Sequence, residues 1–319
     1  MRLLLLLLTF VRAILRCAPS GLAIALFRWS RSVFSIRLNR LLEDHVFTEV
    51  LKGRGETLPL PRILVPLAVE RRMTIRVGDE SQRYYWMGDF DDVASYVLRH
   101  LRAADTFIDI GANCGFVTLL ASSVVPDRCI WSFEPNPDTF RELKANLDLN
   151  GLAVNAVNLG LSDAPGRARL FVPEGACGGS SIDAKNYRRR DLLPGETLPS
   201  KFHEIEVVRF DDFWADRQPQ IPGDSQIMVK LDAEGHELAI ITGMRDFLTA
   251  HRERVTLLVE IYDSEFEAMT AALGAQGFLA GLIEPDGTVG NAVRPGQNRF
   301  RNYCFRASVV LPAAQLQAG

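Results

Sequence analysis

The sequence predicts an α/β fold with a mostly parallel β-sheet and helices on both of its faces. Three observations support this class. Short apolar runs of strand length alternate with amphipathic runs of helical period from residue 105 onward. Polar and charged residues follow directly after several of the apolar runs. No internal repeat interrupts the alternation, which is typical of one sheet covered on both sides.

The apolar runs place the strands. They cover residues 106–110, 129–133, 154–161, 227–231, 255–261, 278–283 and 302–310, the last two as an antiparallel pair. Helices are expected over 116–125 and after Asn136 and Pro137, because asparagine is a favourable N-cap and proline is favourable at the first helical position. Another helix follows the strand 227–231.

The chain divides into three parts. They are a basic, apolar N-terminal segment (1–42), a mixed leader (43–104) and a main domain (105–312). In the leader we expect a hairpin that pairs 73–77 with 82–87, and a helix over 91–101. The stretch 173–204 has no clear period and is expected to be a long loop of the functional kind.

The N-terminal segment 1–42 holds seven arginines and no acidic residue. Its apolar runs are shorter than the roughly 18–20 residues needed to cross a bilayer. Three interpretations stay open: a segment lying on an anionic membrane surface, a signal peptide, or an extension packed on the domain. The five cysteines are scattered without a CxxC pair, which favours a cytoplasmic protein. If the segment lies on a membrane surface, we expect that surface to be the inner face of the membrane.

The rest of the chain carries 29 Lys and Arg against 39 Asp and Glu, a net charge of −10. A body of this charge is unsuited to nucleic acid, since binding phosphates requires a basic surface. It suits a small cationic ligand.

Candidate site residues follow the first strand. The loop is built from Asp109, Gly111, Ala112, Asn113 and Gly115, with Phe116 opening the next helix. Glycines allow a sharp turn and a close approach of the backbone to a ligand, and the helix directs free N–H groups at the loop. This pattern predicts a nucleotide-type cofactor loop, although its Gly-x-x-x-Gly spacing differs from that of dinucleotide sites. The alternative is a tight βα turn without a ligand.

Two further pairs follow the second and third strands. Glu134 can accept both ribose hydroxyls of an adenosine, and Pro135 holds it extended. Ser162 and Asp163 can bond an adenine amino group. The alternatives are a solvated surface acid and an ordinary Asx turn, respectively.

The fourth strand ends in a dense set of ionisable residues, which are Lys230, Asp232, Glu234 and His236. Lys230 and Asp232 share one strand face because they are two residues apart. Such groups beside an apolar strand are costly unless they are paired or functional, so we expect catalysis or cofactor contact here. The alternative is a structural ion pair with acids that cap the next helix.

Five motifs occur in order along the chain. They are FIDIGANCGF (107–116), SFEPNPDTFRELKANLDLNGL (132–152), NLGLSD (158–163), VKLDAEGHELAIITGM (229–244) and LLVEIYD (257–263). Over about residues 82–284 the chain resembles the FkbM family of S-adenosyl-L-methionine-dependent methyltransferases. The resemblance implies a class I methyltransferase (Rossmann-like) fold, with a seven-stranded, mostly parallel sheet whose last strand is antiparallel.

The resemblance also implies roles for the candidate residues. The loop 109–116 would hold the methionine side of the cofactor, Glu134 and Pro135 the ribose, and Ser162 with Asp163 the adenine. Gly178 to Ser181 match a polar loop that precedes the family's substrate side. No metal is predicted, because Asp232 and Glu234 alone do not make the octahedral oxygen set of Mg²⁺.

The implied reaction is methylation of a hydroxyl on a glycan, lipid-linked sugar or secondary metabolite. A base that removes the hydroxyl proton would help, and Asp232 is the first candidate, Glu234 the second and His236 the third. Lys230 would pair with Asp232 or bond the cofactor carboxylate. The competing hypotheses are an NAD-dependent oxidoreductase and a non-catalytic, membrane-associated relative. The oligomeric state is left open.

Overall fold

The computed structural model describes residues 62–67, 69–76, 79, 81–82, 85, 92–173, 176–183, 201–217, 221, 225–296 and 299–307. The segment 1–42 and its expected membrane contact lie outside these residues. Within the described part, no helix is both long enough and apolar enough to span a membrane.

The described residues form thirteen strands and seven α-helices. The strands are β1 Arg62–Pro66, β2 Arg72–Arg76, β3 Thr106–Ile110, β4 Ile130–Phe133, β5 Asn155–Val157, β6 Gly160–Ser162, β7 Gly166–Phe171, β8 Phe202–Arg209, β9 Ile227–Leu231, β10 Val255–Tyr262, β11 Phe278–Ile283, β12 Val289–Asn291 and β13 Phe300–Ala307. The helices are α1 Asp92–His100, α2 Phe116–Ala121, α3 Pro137–Leu149, α4 Phe210–Arg217, α5 Glu237–Gly243, α6 Arg245–Ala250 and α7 Phe266–Gly274.

The central sheet has eight strands in the order β12-β11-β13-β10-β9-β3-β4-β5. Five adjacent strands of this sheet, β10, β9, β3, β4 and β5, run parallel to one another, and β13 is antiparallel to both of its neighbours. This arrangement confirms the predicted α/β class and the class I methyltransferase fold. The strand count differs from the expected seven, because the short β12 adds to the free edge of β11.

The two faces of the sheet carry separate cores. Successive residues of β3 point to opposite faces, so Phe107 packs against α1, α2 and α3 while Ile108 packs against the helices on the other side. Both side chains are fully buried. The same alternation on β9 puts Met228 on the face of Phe107 and Val229 on the face of Ile108. Asp109 and Lys230 therefore lie on the α1–α2 face.

The expected strand 154–161 is divided into two. β5 joins the central sheet, whereas β6 joins a separate three-stranded sheet in the order β6-β8-β7. The chain changes sheets at Asn158, whose Nδ2 donates to the carbonyl oxygens of Glu134 (2.7 Å) and Pro135 (3.1 Å). Because β8 begins at Phe202, the loop expected over 173–204 also ends slightly earlier than predicted.

The hairpin expected in the leader was wrong. β2 pairs with β1, and the described residues of the expected second strand, Gln82 and Tyr85, are helical. Asp79 explains the difference, since its Oδ1 accepts from the N–H groups of Ser81 (3.0 Å) and Gln82 (3.3 Å) and begins a helical turn. Gln82 then folds back, and its Oε1 accepts from the N–H of Arg76 (2.7 Å) at the end of β2.

Helix boundaries agree more closely. α1 and α3 form as predicted, and Asn136 caps α3 by accepting from the N–H of Asp138. α2 ends at Ala121, four residues before the expected end. The hydroxyls of Ser122 and Ser123 donate to carbonyl oxygens one turn back, which competes with helix continuation.

Candidate active site

The loop after β3 crosses the end of β4. The N–H groups of Gly111 and Ala112 both donate to the carbonyl oxygen of Phe133, at 3.0 and 2.9 Å. Gly111, Asn113 and Gly115 adopt positive φ angles of 74°, 51° and 94°. These conformations make the tight turn that leads into α2, and two of the three are supplied by glycine at low cost.

Glu134 connects this loop to the start of α3. Its side chain is buried, with Oε2 accepting from the N–H of Asn113 (2.9 Å) and Oε1 from the N–H of Asn136 (2.8 Å). Burial raises the pKa of Glu134 to about 7, against the lowering effect of these two hydrogen bonds. The carboxylate is thus fixed in place at the tip of β4.

Lys230 lies between two acids beneath the loop. Its Nζ is 3.4 Å from Asp109 Oδ1 and 3.3 Å from Asp232 Oδ2, and it donates to the carbonyl oxygen of Gly111 at 2.6 Å. Asp109 is fully buried, and its other oxygen accepts from the hydroxyl of Thr118 at 2.6 Å. Asp232 is 36% exposed, so it is the most accessible member of this triad.

The turn after β9 is held by an acid inside it. Glu237 Oε1 accepts from the N–H groups of Ala233 (2.7 Å) and Gly235 (3.1 Å). Burial raises the pKa of Glu237 to about 7. Glu234 and Gly235 have positive φ angles of 55° and 91°, which this double hydrogen bond stabilises. Glu237 therefore positions the acids that precede it.

His236 faces away from that acidic group. Its Nε2 is 2.9 Å from the hydroxyl of Ser162, which in turn bonds Asp163 Oδ1 at 3.1 Å. Burial lowers the pKa of His236 below its ordinary value. The third base candidate thus pairs with the residues expected near adenine.

A cavity of about 680 Å³, its open mouth included, lies over these elements. It brings together seven of the predicted residues, which are Gly111, Asn113, Glu134, Pro135, Asp232, Glu234 and His236. The others lie behind its wall or beside it, namely Asp109, Ala112, Gly115, Phe116, Ser162, Asp163 and Lys230. Their neighbours Gly160 and Leu161 line the cavity at the end of β6.

The segment 177–181 contributes Cys177, Gly178 and Ser180 to the lining of the cavity, whereas the resemblance implied only that 178–181 precede the substrate side. The N–H of Gly178 donates to Ser81 Oγ (2.9 Å), and Ser181 Oγ donates to the carbonyl oxygen of Glu234 (2.8 Å). Tyr85 also lines the cavity and stacks on Phe116, with ring centroids 4.5 Å apart. No motif in the sequence points to Tyr85.

One further acid approaches from β10. Carboxylate oxygens of Asp232, Glu234 and Glu260 all lie within 4.8 Å of one another. Glu260 lies inside the motif LLVEIYD, which by its pattern predicts a strand alone. Oxygen ligands of this kind suit a hard cation or a group that donates hydrogen bonds.

The chain matches the family model described as the methyltransferase FkbM domain over residues 109–280. Among curated proteins it is 28% identical over 202 residues to Methyltransferase 1 of Beauveria bassiana, covering 57% of this chain and 76% of that protein. It is also 28% identical over 177 residues to the hexuronic acid methyltransferase AglP of Haloferax volcanii, covering 56% of this chain and 65% of that protein.

Among solved structures, the methyltransferase FkbM of Methylobacillus flagellatus is similar, with 16% identity and a TM-score of 0.38. The match covers 65% of this chain and 44% of that one, so the chain spans less than half the length of that structure.

Proposed function

Because the chain belongs to the FkbM methyltransferase family, we propose that this methyltransferase binds S-adenosyl-L-methionine in the cavity over β3, β4 and β9 and methylates a hydroxyl group. The observation that carries the proposal is the buried carboxylate of Glu134, held at the cavity wall by two backbone N–H groups. A carboxylate at the end of the second parallel strand is suited to accept the two ribose hydroxyls of an adenosine.

The rest of the cavity fits the other parts of this cofactor. Gly160 and Leu161 offer a flat, apolar wall for adenine, and His236 is held beside it by Ser162. Gly111 and Asn113 take the methionine end. The acids Asp232 and Glu234 supply negative charge for a cationic sulfur.

When bound, S-adenosyl-L-methionine supplies a methyl group that passes to the acceptor oxygen while the electron pair of the carbon–sulfur bond stays on sulfur. The protein aligns the acceptor and excludes water. Asp232 receives the hydroxyl proton, because it lines the cavity and its carboxylate is oriented by Lys230. Lys230 takes the pairing role, since its Nζ already contacts Asp109 and Gly111. His236 is assigned to positioning.

The acceptor is proposed to be a hydroxyl of a glycan, lipid-linked sugar or secondary metabolite. The name of the Haloferax volcanii relative supports a sugar ring, although the hexuronic acid of that name carries a carboxylate. The net charge of −10 outside the first 42 residues disfavours nucleic acid. We retain as part of the proposal that residues 1–42 contact the anionic inner face of the membrane. Co-sedimentation of the full chain with phosphatidylglycerol vesicles tests this contact. We expect the protein to sediment with the vesicles at low salt and to be released when the salt concentration is raised.

Calorimetric titration of the full chain with S-adenosyl-L-methionine and S-adenosylhomocysteine tests the cofactor assignment. We expect binding in the micromolar range, which corresponds to about 8 kcal/mol. Glu134→Gln should weaken it about ten- to a hundredfold, the effect of losing a charge-assisted hydrogen bond. Glu142→Gln is the matched control, because Glu142 is equally buried but pairs with Arg76 and Gln82 outside the cavity. A folded protein that binds neither compound would refute the proposal.

A further inference from the structure

A second cavity adjoins the first at the same edge of the central sheet. It measures about 460 Å³ with its open mouth, and it shares Tyr85 and Asp232 with the first cavity. The side chains of Tyr85 and Asp232 therefore lie where the two cavities meet. A transfer reaction between two ligands needs two sites that adjoin, so that the reacting groups can come into direct contact.

The polar part of the second cavity consists mainly of hydrogen-bond acceptors. Glu260 on β10 and Asn302 on β13 are register partners, and both line it. Asn302 Nδ2 donates to Asp92 Oδ1 at 2.7 Å, which orients the amide. The carboxylate oxygens of Glu260 and Asp232 are within 4.8 Å of each other. Two carboxylates this close can accept hydrogen bonds from two hydroxyls of one ligand.

The opposite part is apolar. Val93 of α1, Val117 of α2 and Leu258 of β10 line it, and all three are buried. Such a surface packs against the C–H face of a saturated ring, while the hydroxyls turn toward the acids. The cavity thus has the two-sided character that a carbohydrate presents.

The charged side chains around the second cavity restrict the class of ligand that it can bind. Asp232, Glu234 and Glu260 lie close together, whereas Lys230, the cation among the described residues that line this cavity, is 9% exposed and ion-paired with Asp109 and Asp232. A ligand that carries a carboxylate or a phosphate would place a negative charge close to these acids. Repulsion between like charges is costly in a partly dry site. Hydroxyl groups, in contrast, donate hydrogen bonds to carboxylates.

We propose that the second cavity is the acceptor site and that it takes a neutral, hydroxyl-rich ring, with Glu260 as a specificity-determining residue. Glu260 accepts a hydrogen bond from a hydroxyl next to the one that reacts, and Asp232 receives the proton of the reacting hydroxyl. The inference rests on the proposed function, because it assumes that the first cavity holds the methyl donor.

The test uses the full chain with saturating S-adenosyl-L-methionine and a panel of p-nitrophenyl glycosides: the glucoside, galactoside, mannoside and rhamnoside, with the glucuronide as the anionic member. Formation of S-adenosylhomocysteine is measured. We expect at least one neutral glycoside to exceed the glucuronide in kcat/KM by about tenfold or more. Glu260→Gln should lower that kcat/KM by about ten- to a hundredfold, as expected for a charged hydrogen bond, with the Kd for S-adenosyl-L-methionine unchanged.

Glu253→Gln is the control, because Glu253 is an exposed acid that pairs with Arg252 outside both cavities. The melting temperature of each variant is measured, so that a folding defect is separated from a loss of specificity. The inference is overturned if the glucuronide is preferred, if no neutral glycoside is methylated, or if Glu260→Gln turns over like the wild type. It is also overturned if EDTA abolishes turnover and Mg²⁺ restores it, since the acids would then hold a cation. Intact binding of S-adenosyl-L-methionine in any of these cases leaves the proposed function standing.

Discussion

A β-carbon built on Gly111 would lie 1.8 Å from the backbone oxygen of Asp232. The loop after β3 and the turn after β9 therefore meet backbone to backbone, with no room for a side chain between them. Gly111 also has a φ of 74°, a conformation that L-residues adopt only with strain. This contact sets the distance between the proposed cofactor loop and the proposed catalytic acid.

Gly111→Ala is expected to abolish cofactor binding and to destabilise the fold by several kcal/mol, because steric overlap adds to backbone strain. Gly151→Ala is the matched control, since Gly151 has a similar φ of 65° and a β-carbon there would have no atom within 4 Å. The control should lose only about 1–2 kcal/mol, the strain of a left-handed conformation. Urea unfolding and titration with S-adenosylhomocysteine measure both effects. Equal losses in the two variants would show that the contact with Asp232 carries no weight.

Glu134 and Glu237 predict a pH dependence of stability. Burial raises the pKa of each to about 7 from an ordinary value near 4.5, so the folded state binds more protons than the unfolded state between these two pH values. The free energy of unfolding should therefore fall as pH rises through this window, by up to about 1.4 kcal/mol per pH unit for each group, and level off above it.

Urea unfolding of the wild type and of Glu237→Gln from pH 5 to pH 8 checks this slope. The difference between the two proteins isolates the carboxyl from the histidines, which titrate in the same range. Relative to the variant, the wild type should lose stability with rising pH. A difference that stays constant with pH would contradict the raised pKa.

Much of the site could be predicted because strand ends in a parallel sheet share one edge. Glu134 and Asp232 come directly after buried apolar runs, so their meeting follows from the α/β class alone. Asp109 shows where this reasoning stops. It is expected in the cofactor loop, but it belongs to β3. The alternation of side chains along the strand puts Asp109 on the same face as Phe107, beneath α1 and α2, where it is fully buried.

Other parts of the site could not be predicted from the sequence, because they depend on contacts between segments in the folded chain. Glu260 lies in the motif LLVEIYD, whose pattern predicts only a strand, and its place in a cavity depends on pairing with Asn302, which is distant in the sequence. Tyr85 falls in the predicted hairpin because Gly78 and Asp79 are typical of a turn between two short strands. The side chain of Asp79 instead starts a helical turn. Such capping contacts are local, but the same short sequence is also compatible with a hairpin turn. The sequence alone therefore does not decide between the two structures.

The ion pairs of Lys230 with Asp109 and Asp232 predict that loss of this lysine lowers both stability and activity. Lys230→Met would leave the fully buried Asp109 without its ion-pair partner, at an expected cost of about 3–5 kcal/mol. The double variant Lys230→Met with Asp109→Asn should recover part of that stability, because an asparagine still accepts from Thr118. It should not recover methyl transfer, since Asp232 loses its partner in both proteins. Unfolding curves and turnover measured side by side test this, and a double variant no more stable than the single one would refute it.

Gly178 predicts that the segment 177–181 controls access to the cofactor cavity. A β-carbon there would lie 2.5 Å from Ser81 Cβ and 2.7 Å from Asn113 Nδ2, so Gly178→Ala should push the segment off the cavity. Overpacking of this kind costs about 1–3 kcal/mol. We expect this cost to weaken the affinity for S-adenosyl-L-methionine by about five- to a hundredfold. Gly166→Ala is the control, because Gly166 is an exposed residue of β7 and no atom lies within 4 Å of a β-carbon built there. Calorimetry on both variants decides the point, since equal affinities would mean that the segment does not bear on the cofactor.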